Sequence, residues 1–399
     1  MNQWADRAAQ WAAVALGVSI PISTALDNIL VPFVVVGWLA GGKWRAKWDA
    51  LRRNPVVLAA IGLFALLIIG SAYGDRNPGE AATVLSKYRD LALIPIFALV
   101  LHEAAVRQLA LRVFAGTLAV VLALSYLIGA GLLPPVRPLL GDPGNPVVFK
   151  LHITHSILMA YGAFLFASLA IRAAARAERF AWSALAILAV INVLFMVQGR
   201  TGYLVLAALI CLYLYGCMKW RGLVLAVPLL AALYAAAYFG SPGFRERTDR
   251  AVSEARAWEH DTPTEESVGL RLEFAKTSLA IIADHPVLGV GTGGFSKAYA
   301  DKVRNTASPP TRNPHNEYLL IAVQIGLIGV AAMLYLLWTQ WQYAPRLASA
   351  IEANLARGLV LTVAVGSLFN SLLLDHAEGL FYAWLTGLLY AGLKSADSR

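Results

Sequence analysis

Charged residues are scarce in this sequence, at 14% of 399 residues, whereas hydrophobic residues account for 58%. A soluble domain carries roughly 25% charged residues. This deficit excludes an ordinary soluble globule, a disordered chain and a coiled coil, and it leaves an integral membrane protein built mostly of spanning helices. The formal charge of +9 is largely absorbed by the excess of basic residues that cytoplasmic loops carry. A nucleic-acid-binding protein is therefore not indicated.

Cysteine and metal-binding motifs are also scarce. The two cysteines, Cys211 and Cys217, lie about 240° apart around one predicted helix, which disfavours a disulfide. His152 and His155 share a helical face, but no carboxylate accompanies them. The chain also has no Walker motif and no acidic pair suited to Mg²⁺ on a nucleotide sugar. We therefore predict a protein without a metal or a cofactor.

The apolar stretches predict an all-α integral membrane protein with about twelve transmembrane helices. These stretches lie near 9–25, 26–42, 55–73, 89–103, 106–131, 152–173, 179–198, 201–218, 222–240, 315–342, 355–374 and 379–394. One long hydrophilic segment interrupts them. The predicted parts are an N-terminal bundle of about nine spans (1–240), a helical segment (241–314) and a C-terminal group of about three spans (315–399).

The distribution of basic residues predicts the orientation in the membrane. If the N-terminus lies inside, seventeen lysines and arginines fall at cytoplasmic ends and loops, and six fall in the short outer connections. The positive-inside rule favours this topology over its reverse. Both termini are therefore predicted in the cytoplasm, and the segment 241–314 is predicted on the outer side.

The hydrophilic segment has the pattern of folded helices. Ser241 and Pro242 suit the cap and first turn of a charged helix that continues to about Glu259. After an acidic turn at 261–266, apolar residues at helical spacing predict an amphipathic helix ending near Asp284. The glycines that follow match GxGxxG by spacing, but they come after a helix on the outer side, so we predict a tight turn instead.

Cations on the outer side are the first candidate site residues, because basic residues are depleted there. Arg200 lies in the stretch 198–202 (Gln-Gly-Arg-Thr-Gly), between two spans with almost no loop. Its guanidinium either snorkels to the headgroups or binds a phosphate bidentately in an outward-facing cavity. Lys87 and Arg89, beside the fourth span, raise the same question, although one of them could simply pair with Asp90.

A histidine motif opens the tenth span. In the stretch 312–318, Asn313 suits an N-cap and Pro314 the first helical position, which places His315 in the first turn. The helix dipole there disfavours an imidazolium, so a neutral His315 is expected near pH 7 and could act as a general base. The alternative is a histidine that only helps to cap the helix. A further polar cluster, 375–378, either lines the same cavity or forms a solvated turn.

Together these motifs resemble the O-antigen ligase family, which shares a superfamily with O-antigen polymerases and bacterial O-oligosaccharyltransferases. Arg200 resembles the family's arginine at a periplasmic helix end, and Arg271 resembles its second arginine, with Phe274 as the nearest following aromatic residue. The stretches 285–291 and 314–318 resemble its Pro-x-x-Gly-x-Gly and His-Asn patterns. The resemblance covers most of the chain, and the motifs fall in the same order and on one side of the membrane.

The resemblance implies a GT-C-like glycosyltransferase in the bacterial inner membrane, with its active site facing the periplasm. Its substrates would be a glycan linked to undecaprenyl diphosphate and a sugar hydroxyl of lipid A–core, and the in-line transfer would be metal-independent and inverting. His315 would be the base, and Arg200 and Arg271 would bind the diphosphate. The other candidate substrate-binding residues are Lys87, Arg89, Arg312, Asn316 and Tyr318.

Alternative functions stay open at this point. An O-antigen polymerase would perform the same chemistry with a growing glycan as acceptor, and a protein O-oligosaccharyltransferase would use a protein hydroxyl. A transporter or lipid flippase is a more remote alternative, because its polar residues usually lie near the bilayer midplane within repeated units. Here the polar candidates gather at one predicted membrane face, and the sequence contains no detectable repeat. The oligomeric state is also left open.

Overall fold

The computed structural model describes residues 3–74, 78–259 and 267–393. Within these ranges the regular structure is helical, and the one extended pairing is an isolated bridge between Asp142 and Asn145. The prediction of an all-helical protein is confirmed for this part of the chain. The acidic turn predicted at 261–266 lies outside the described residues.

A helix lies at each predicted apolar stretch, and two more helices, 44–52 and 78–88, lie between these stretches. The N-terminal part contains α1 (Gln3–Ile22), α2 (Thr24–Ala40), α3 (Trp44–Arg52), α4 (Pro55–Gly70), α5 (Pro78–Tyr88), α6 (Asp90–Val100), α7 (Ala104–Gly129), α8 (His152–Arg172), α9 (Arg176–Ile191), α10 (Arg200–Met218) and α11 (Trp220–Gly240). The hydrophilic segment contains α12 (Pro242–Ala257), α13 (Ser267–Asp284) and α14 (Phe295–Val303). The C-terminal part contains α15 (Glu317–Tyr343), α16 (Ala350–Gly366) and α17 (His376–Tyr390).

Six of the described helices are long and apolar enough to cross a membrane. They are α7, α8, α9 with a π-helical extension to Met196, α10, α11, and α15 with its extension to Arg346. The number is seven if α2 and α3, which are bent by 113°, form one span. Some helices at the other predicted spans are too short, such as α6 with 11 residues and α17 with 15, whereas α1 has 20 residues but is less apolar. A multi-span membrane protein is therefore supported, while twelve spans and the three-part division stay predictions.

Helix α17 lies in the middle of the bundle, where every residue from Glu378 to Tyr390 is buried. Trp384 packs against Phe114 of α7, with ring centroids 5.4 Å apart, and its Nε1 donates a hydrogen bond to the Ala13 carbonyl of α1 at 2.8 Å. Lipid tails are as apolar as leucine, so close packing and hydrogen bonds of this kind stabilise the helix assembly. Helix α17 thereby joins α1 to α7.

Helix α15 is broken at Ile325 and Gly326, and Gly326 has a φ of +67°. A glycine-rich turn at 285–294 satisfies the backbone groups that the break releases, as a broken span requires. Three hydrogen bonds do this: Val290 N to Val323 O (2.8 Å), Gly291 N to Gln324 O (2.9 Å) and Leu327 N to Pro286 O (2.9 Å). The tight turn predicted at these glycines is confirmed, and it connects the hydrophilic segment to α15.

Candidate functional site

Arg200 is the first residue of α10, four residues after Met196, where the π-helical end of the preceding span stops. The glycines around it allow α10 to approach α8 closely. An added Cβ would lie 2.1 Å from Ser156 Oγ at Gly199 and 2.5 Å from Ser156 Cβ at Gly202. The motif therefore fixes the start of α10 against the start of α8. It leaves the half-buried Arg200 side chain at the positive end of the α10 dipole, where an anion is favoured.

Arg271 lies on α13 and is also half-buried. Burial, followed by the nearby charge of Arg200, lowers the pKa of the Arg271 guanidinium from its ordinary value. Within the described ranges, neither arginine forms an ion pair with a carboxylate. Two adjacent cations without an acidic partner favour a bound anion, and a guanidinium binds phosphate bidentately.

Arg247 of α12 is a third arginine at this site, and the sequence analysis did not single it out. It donates a hydrogen bond to the Tyr203 hydroxyl at 3.2 Å, and its buried Nε has no hydrogen-bond partner among the described residues. Tyr203, on the first turn of α10, packs against Phe244 with centroids 4.9 Å apart. The available signal was spacing, because Arg247 follows the buried Phe244 by three residues and so shares its helical face.

The start of α8 faces the same group of arginines. His152, the first residue of α8, lies within electrostatic range of Arg271 and Arg247. Its neighbour one turn on, His155, is buried and lies 3.2 Å from the Asn192 side chain through Nε2. The two histidines therefore have different surroundings, and only His152 reaches the arginine group.

His315 lies in the loop before α15, and its predicted place in the first turn of that helix is wrong. Helix α15 begins at Glu317, with Asn316 as N-cap accepting a hydrogen bond from Leu319 N at 3.0 Å. Asn313 forms a turn before the helix instead, with its Oδ1 accepting from His315 N at 2.8 Å. His315 adopts a φ of +53° there. The Asn316 amide also donates to the Leu368 carbonyl at 2.9 Å, whereas Asn313 Oδ1 also accepts from the Ser371 hydroxyl at 2.7 Å.

The surroundings of His315 favour its neutral form for a reason other than the predicted helix dipole. Burial, and then the charge of Arg271, lowers the pKa of His315 from its ordinary value. The ring stacks on Phe274 of α13, with centroids 6.3 Å apart and planes inclined by 25°. A neutral imidazole at pH 7 can accept a proton.

Neither residue that follows His315 holds its ring within the described structure. The Asn316 side chain is used by the helix cap and by Leu368. The buried Glu317 carboxylate accepts hydrogen bonds from the Tyr88 hydroxyl and from Leu373 N. Both side chains therefore fix the loop and the helix start, and the stacking on Phe274 is the contact that restrains the imidazole.

Lys87 and Arg89 lie on the two sides of Tyr88, so the same hydrogen bond to Glu317 attaches them to the helix start that follows His315. Both side chains are exposed. Burial raises the pKa of the Asp375 carboxyl, and the charge of Lys87 opposes that rise. Arg89 donates to Asn28 at 3.4 Å. Lys87 and Arg89 thus lie beside the polar cluster 375–378, and neither forms an ion pair with Asp90 in the described ranges.

The polar cluster 375–378 is tied into a buried network, which argues against a simple solvated turn. Glu378 is buried and accepts a hydrogen bond from Thr154 at 2.6 Å. His376 Nε2 lies 3.5 Å from the Asp27 carboxylate, whose charge is also 3.9 Å from Lys150 Nζ. The cluster therefore joins α17 to α2 and α8 beside the candidate site.

The remaining predicted substrate-binding residues have different positions. Arg312 is exposed in the loop before His315. The Tyr318 hydroxyl donates to the Ala364 carbonyl at 2.9 Å, which joins α15 to α16. Contact of Arg312, Asn316 or Tyr318 with a substrate stays a prediction.

The stretch that carries these residues has a counterpart among known families. Residues 184–334 match the model of the O-antigen ligase family. Arg200, Arg247, Arg271 and His315 all lie within that stretch, and the resemblance predicted from the motifs is confirmed there. The match supports an O-antigen ligase or polymerase type of enzyme, and the apolar helices place such an enzyme in a bacterial membrane as a multi-pass protein.

Comparisons over the whole chain add less. No curated protein matches the sequence. One similar solved chain comes from work on the structural coordination of polymerization and crosslinking by a peptidoglycan synthase complex. It is 18% identical, the match covers 86% of this chain and 97% of that chain, and the TM-score is 0.49. At that score the likeness assigns neither a fold nor an activity to this protein.

Proposed function

We propose that this protein is an O-antigen ligase. It transfers a glycan from undecaprenyl diphosphate to a sugar hydroxyl of lipid A–core at the periplasmic face of the bacterial inner membrane. The observation that carries the proposal is the convergence of Arg200, Arg247 and Arg271, all without carboxylate partners among the described residues, beside the half-buried His315.

The arginines suit the diphosphate of the donor. A diphosphate presents two adjacent anionic groups, and three guanidinium groups offer enough donors to bind both bidentately. Charge grows on the diphosphate as the glycosidic bond breaks, and preorganised cations stabilise that charge in the transition state. The hydrogen bond from Arg247 to Tyr203 and the packing of Tyr203 on Phe244 hold one cation in place before the donor arrives.

His315 supplies the base in this proposal. Its neutral imidazole takes the proton from the acceptor hydroxyl as the hydroxyl oxygen forms a bond to the anomeric carbon. The bond from that carbon to the diphosphate oxygen breaks, and undecaprenyl diphosphate leaves. Attack from the face opposite the leaving group inverts the anomeric configuration. No step requires a nucleotide, because a lipid diphosphate is itself a good leaving group.

An apolar groove supports a polyprenyl donor. The groove has a volume of about 480 Å³ and lies between α8, α9, α10 and α11. Leu206 and Tyr213 line it from α10, and Phe195 lines it from the π-helical turn. Leu206 is six residues after Arg200, about 9 Å along the helix axis. On α10 the groove thus begins about 9 Å from Arg200 and continues into the bundle, a position that suits the tail of a lipid-linked diphosphate.

The proposal includes the predicted topology, with about twelve spans, a GT-C-like architecture and both termini in the cytoplasm. Support comes from the helix ends at the site. Helices α8, α10 and α15 all start there, and the basic residues of the short loops lie mainly at the opposite ends. By the positive-inside rule, this distribution supports a site on the periplasmic side.

The test is transfer in vitro with purified full-length protein, undecaprenyl-diphosphate glycan, lipid A–core and EDTA. We expect wild type to form glycan-capped lipid A–core, and we expect His315→Ala to lose this activity. His285→Ala is the matched control, because His285 is an exposed histidine of the same segment, outside the arginine group.

Other results would replace the proposal. A glycan that only lengthens on its own lipid would indicate a polymerase. Transfer that stops in EDTA and returns with added metal would show that the reaction requires a metal ion. Movement of labelled lipid across proteoliposomes without any transfer would indicate a flippase.

A further inference from the structure

A cavity lined in part by charged residues lies at the end of the bundle opposite the arginine group. Helix α4 runs between the two ends of the bundle. Its last residue, Gly70, accepts a hydrogen bond from Thr292 in the glycine-rich turn of the hydrophilic segment. Its first residue, Pro55, lies at the opposite end, directly after α3. The cavity has a volume of about 600 Å³ and lies between the start of α1, the end of α2, helix α3 and the end of α6. Its basic lining residues are Arg7, Lys43 and Lys47.

Helix α3 forms one wall of the cavity and has the properties of a helix lying in a membrane surface. The chain turns by 113° between α2 and α3, through Gly42 and Lys43, which both have positive φ. Helix α3 has no buried residue, and Trp44 and Trp48, one turn apart, are 52% and 62% exposed. Exposed tryptophan beside basic residues is typical of a helix at the headgroup level.

The lining of the cavity contains more lysine and arginine residues than carboxylates, namely three (Arg7, Lys43 and Lys47) against two (Asp6 and Glu103). Lys47 Nζ lies 5.1 Å from the Trp38 ring and 4.9 Å from the Trp44 ring, near the Asp6 carboxylate. Arg7 and Lys43 are exposed and form no ion pair within the described ranges.

Two further groups of the lining decide which charge the cavity suits. Glu103, an acidic lining residue, already accepts a hydrogen bond from Gln10 at 3.0 Å. Trp38 Nε1 is buried and has no hydrogen-bond partner among the described residues. The cavity therefore offers two unpaired cations and one unused N–H donor, and all three suit an anionic oxygen.

We propose that this cavity binds the phosphate headgroup of an anionic phospholipid, with Trp44 and Trp48 inserted beside its acyl chains. The headgroup phosphate would lie between Arg7 and Lys43 and accept the Trp38 N–H. A lipid is the source of the phosphate because the cavity opens beside a helix suited to the headgroup region. Anionic lipid headgroups attract each nearby lysine or arginine, whereas a zwitterionic headgroup offers no net charge. This site is independent of glycan transfer.

The test uses purified full-length protein in neutral detergent, titrated with phosphatidylglycerol that carries an acyl-chain fluorophore and followed by anisotropy. Phosphatidylcholine with the same fluorophore is the comparison. We expect phosphatidylglycerol to bind more tightly. We expect Arg7→Ala with Lys43→Ala to weaken its affinity by about fivefold for each charge removed, with no change for phosphatidylcholine.

Two variants keep the result interpretable. Arg7→Lys with Lys43→Arg keeps both charges and should bind phosphatidylglycerol like wild type, whatever the alanine pair does to folding. Arg172→Ala with Arg176→Ala removes two exposed cations at the same end of the bundle but outside the cavity, and should leave binding unchanged. Equal binding of the two lipids by wild type, or equal losses in the two alanine pairs, would overturn the proposal.

Discussion

The ring of His315 stacks on the ring of Phe274, and Arg271 lies three residues before Phe274 on the same helix, α13. One helix of the hydrophilic segment therefore carries both the residue that restrains the imidazole and the charge that lowers its pKa. This arrangement links the position of the proposed base to the position of the diphosphate. Substitutions on α13 should accordingly change the pH dependence of transfer as well as its rate.

Replacing Arg200 or Arg271 by alanine should reduce transfer by about 10²–10³-fold, because a single preorganised charge in a transition state contributes that much in other enzymes. Initial rates at saturating donor measure the effect. Arg250→Ala is the matched control, because Arg250 is an exposed arginine of the same segment, paired with Glu246 at 2.7 Å, and its loss should leave the rate unchanged. A wild-type rate in either site variant would exclude that residue from the diphosphate site.

The pH dependence of transfer should report the neighbourhood of His315. A base acts in its neutral form, so a pKa lowered from the ordinary 6.5 extends activity toward lower pH. Arg271→Gln removes a positive charge, raises the pKa of His315 and should move the acidic limb of the profile to higher pH. Arg271→Lys keeps the charge and should leave the limb in place. Profiles of kcat/KM between about pH 5 and 8 measure this shift.

The comparison between those two variants is independent of how much rate each one loses. An acidic limb that stays in place in Arg271→Gln would show that Arg271 does not act on the titrating group. An acidic limb that persists in the residual activity of His315→Ala would show that the group is not His315.

The helices of the site were predictable because their sequences signal both ends. Helix α8 was expected at 152–173 and is His152–Arg172, and α10 was expected at 201–218 and is Arg200–Met218. In both cases a long apolar run stops at polar or basic residues. The break within α15 gave no such signal, because Gly326 lies in a run that is apolar apart from Gln324, and the backbone partners of the break lie in the turn at 285–294.

The positions of individual site residues depended on contacts that are distant in the sequence. Asn313 and Asn316 are both good N-caps, and in the fold Asn316 caps the helix while contacting Leu368, whereas Asn313 holds the turn before it and contacts Ser371. Arg247 looked like one of several charged residues on a solvated helix until the fold placed its guanidinium on the Tyr203 hydroxyl. Local patterns therefore predicted which segments form the site, whereas tertiary contacts determined which side chains enter it.

Gly326→Ala should destabilise the protein. A Cβ at this position would lie 2.0 Å from the Val287 carbonyl oxygen, and the φ of +67° disfavours any side chain. Strain of this kind costs about 1–3 kcal/mol, so the thermal unfolding midpoint in detergent should fall. Gly116→Ala on α7 is the control, because an added Cβ meets no atom within 4 Å there and alanine favours a helix. Equal midpoints for the two variants would contradict the role of the turn in holding the break of α15.

Filling the apolar groove should weaken binding of the lipid donor without changing the chemical step. Leu206→Trp adds an indole to the groove wall about 9 Å from Arg200. We expect the KM for the undecaprenyl donor to rise by about threefold to tenfold, a modest change because packing rather than transfer from water favours a lipid tail in a groove. The kcat at saturating donor should stay the same. Leu204→Trp, at a position 44% exposed and outside the groove, is the control for an added indole on α10, although Leu206 itself is 2% exposed.

The length of the donor gives the second control for the groove. A donor with a short prenyl chain that does not reach the groove should be used equally by wild type and Leu206→Trp. An equal rise in KM for the short and long donors would instead place the effect of Leu206→Trp at the phosphate site.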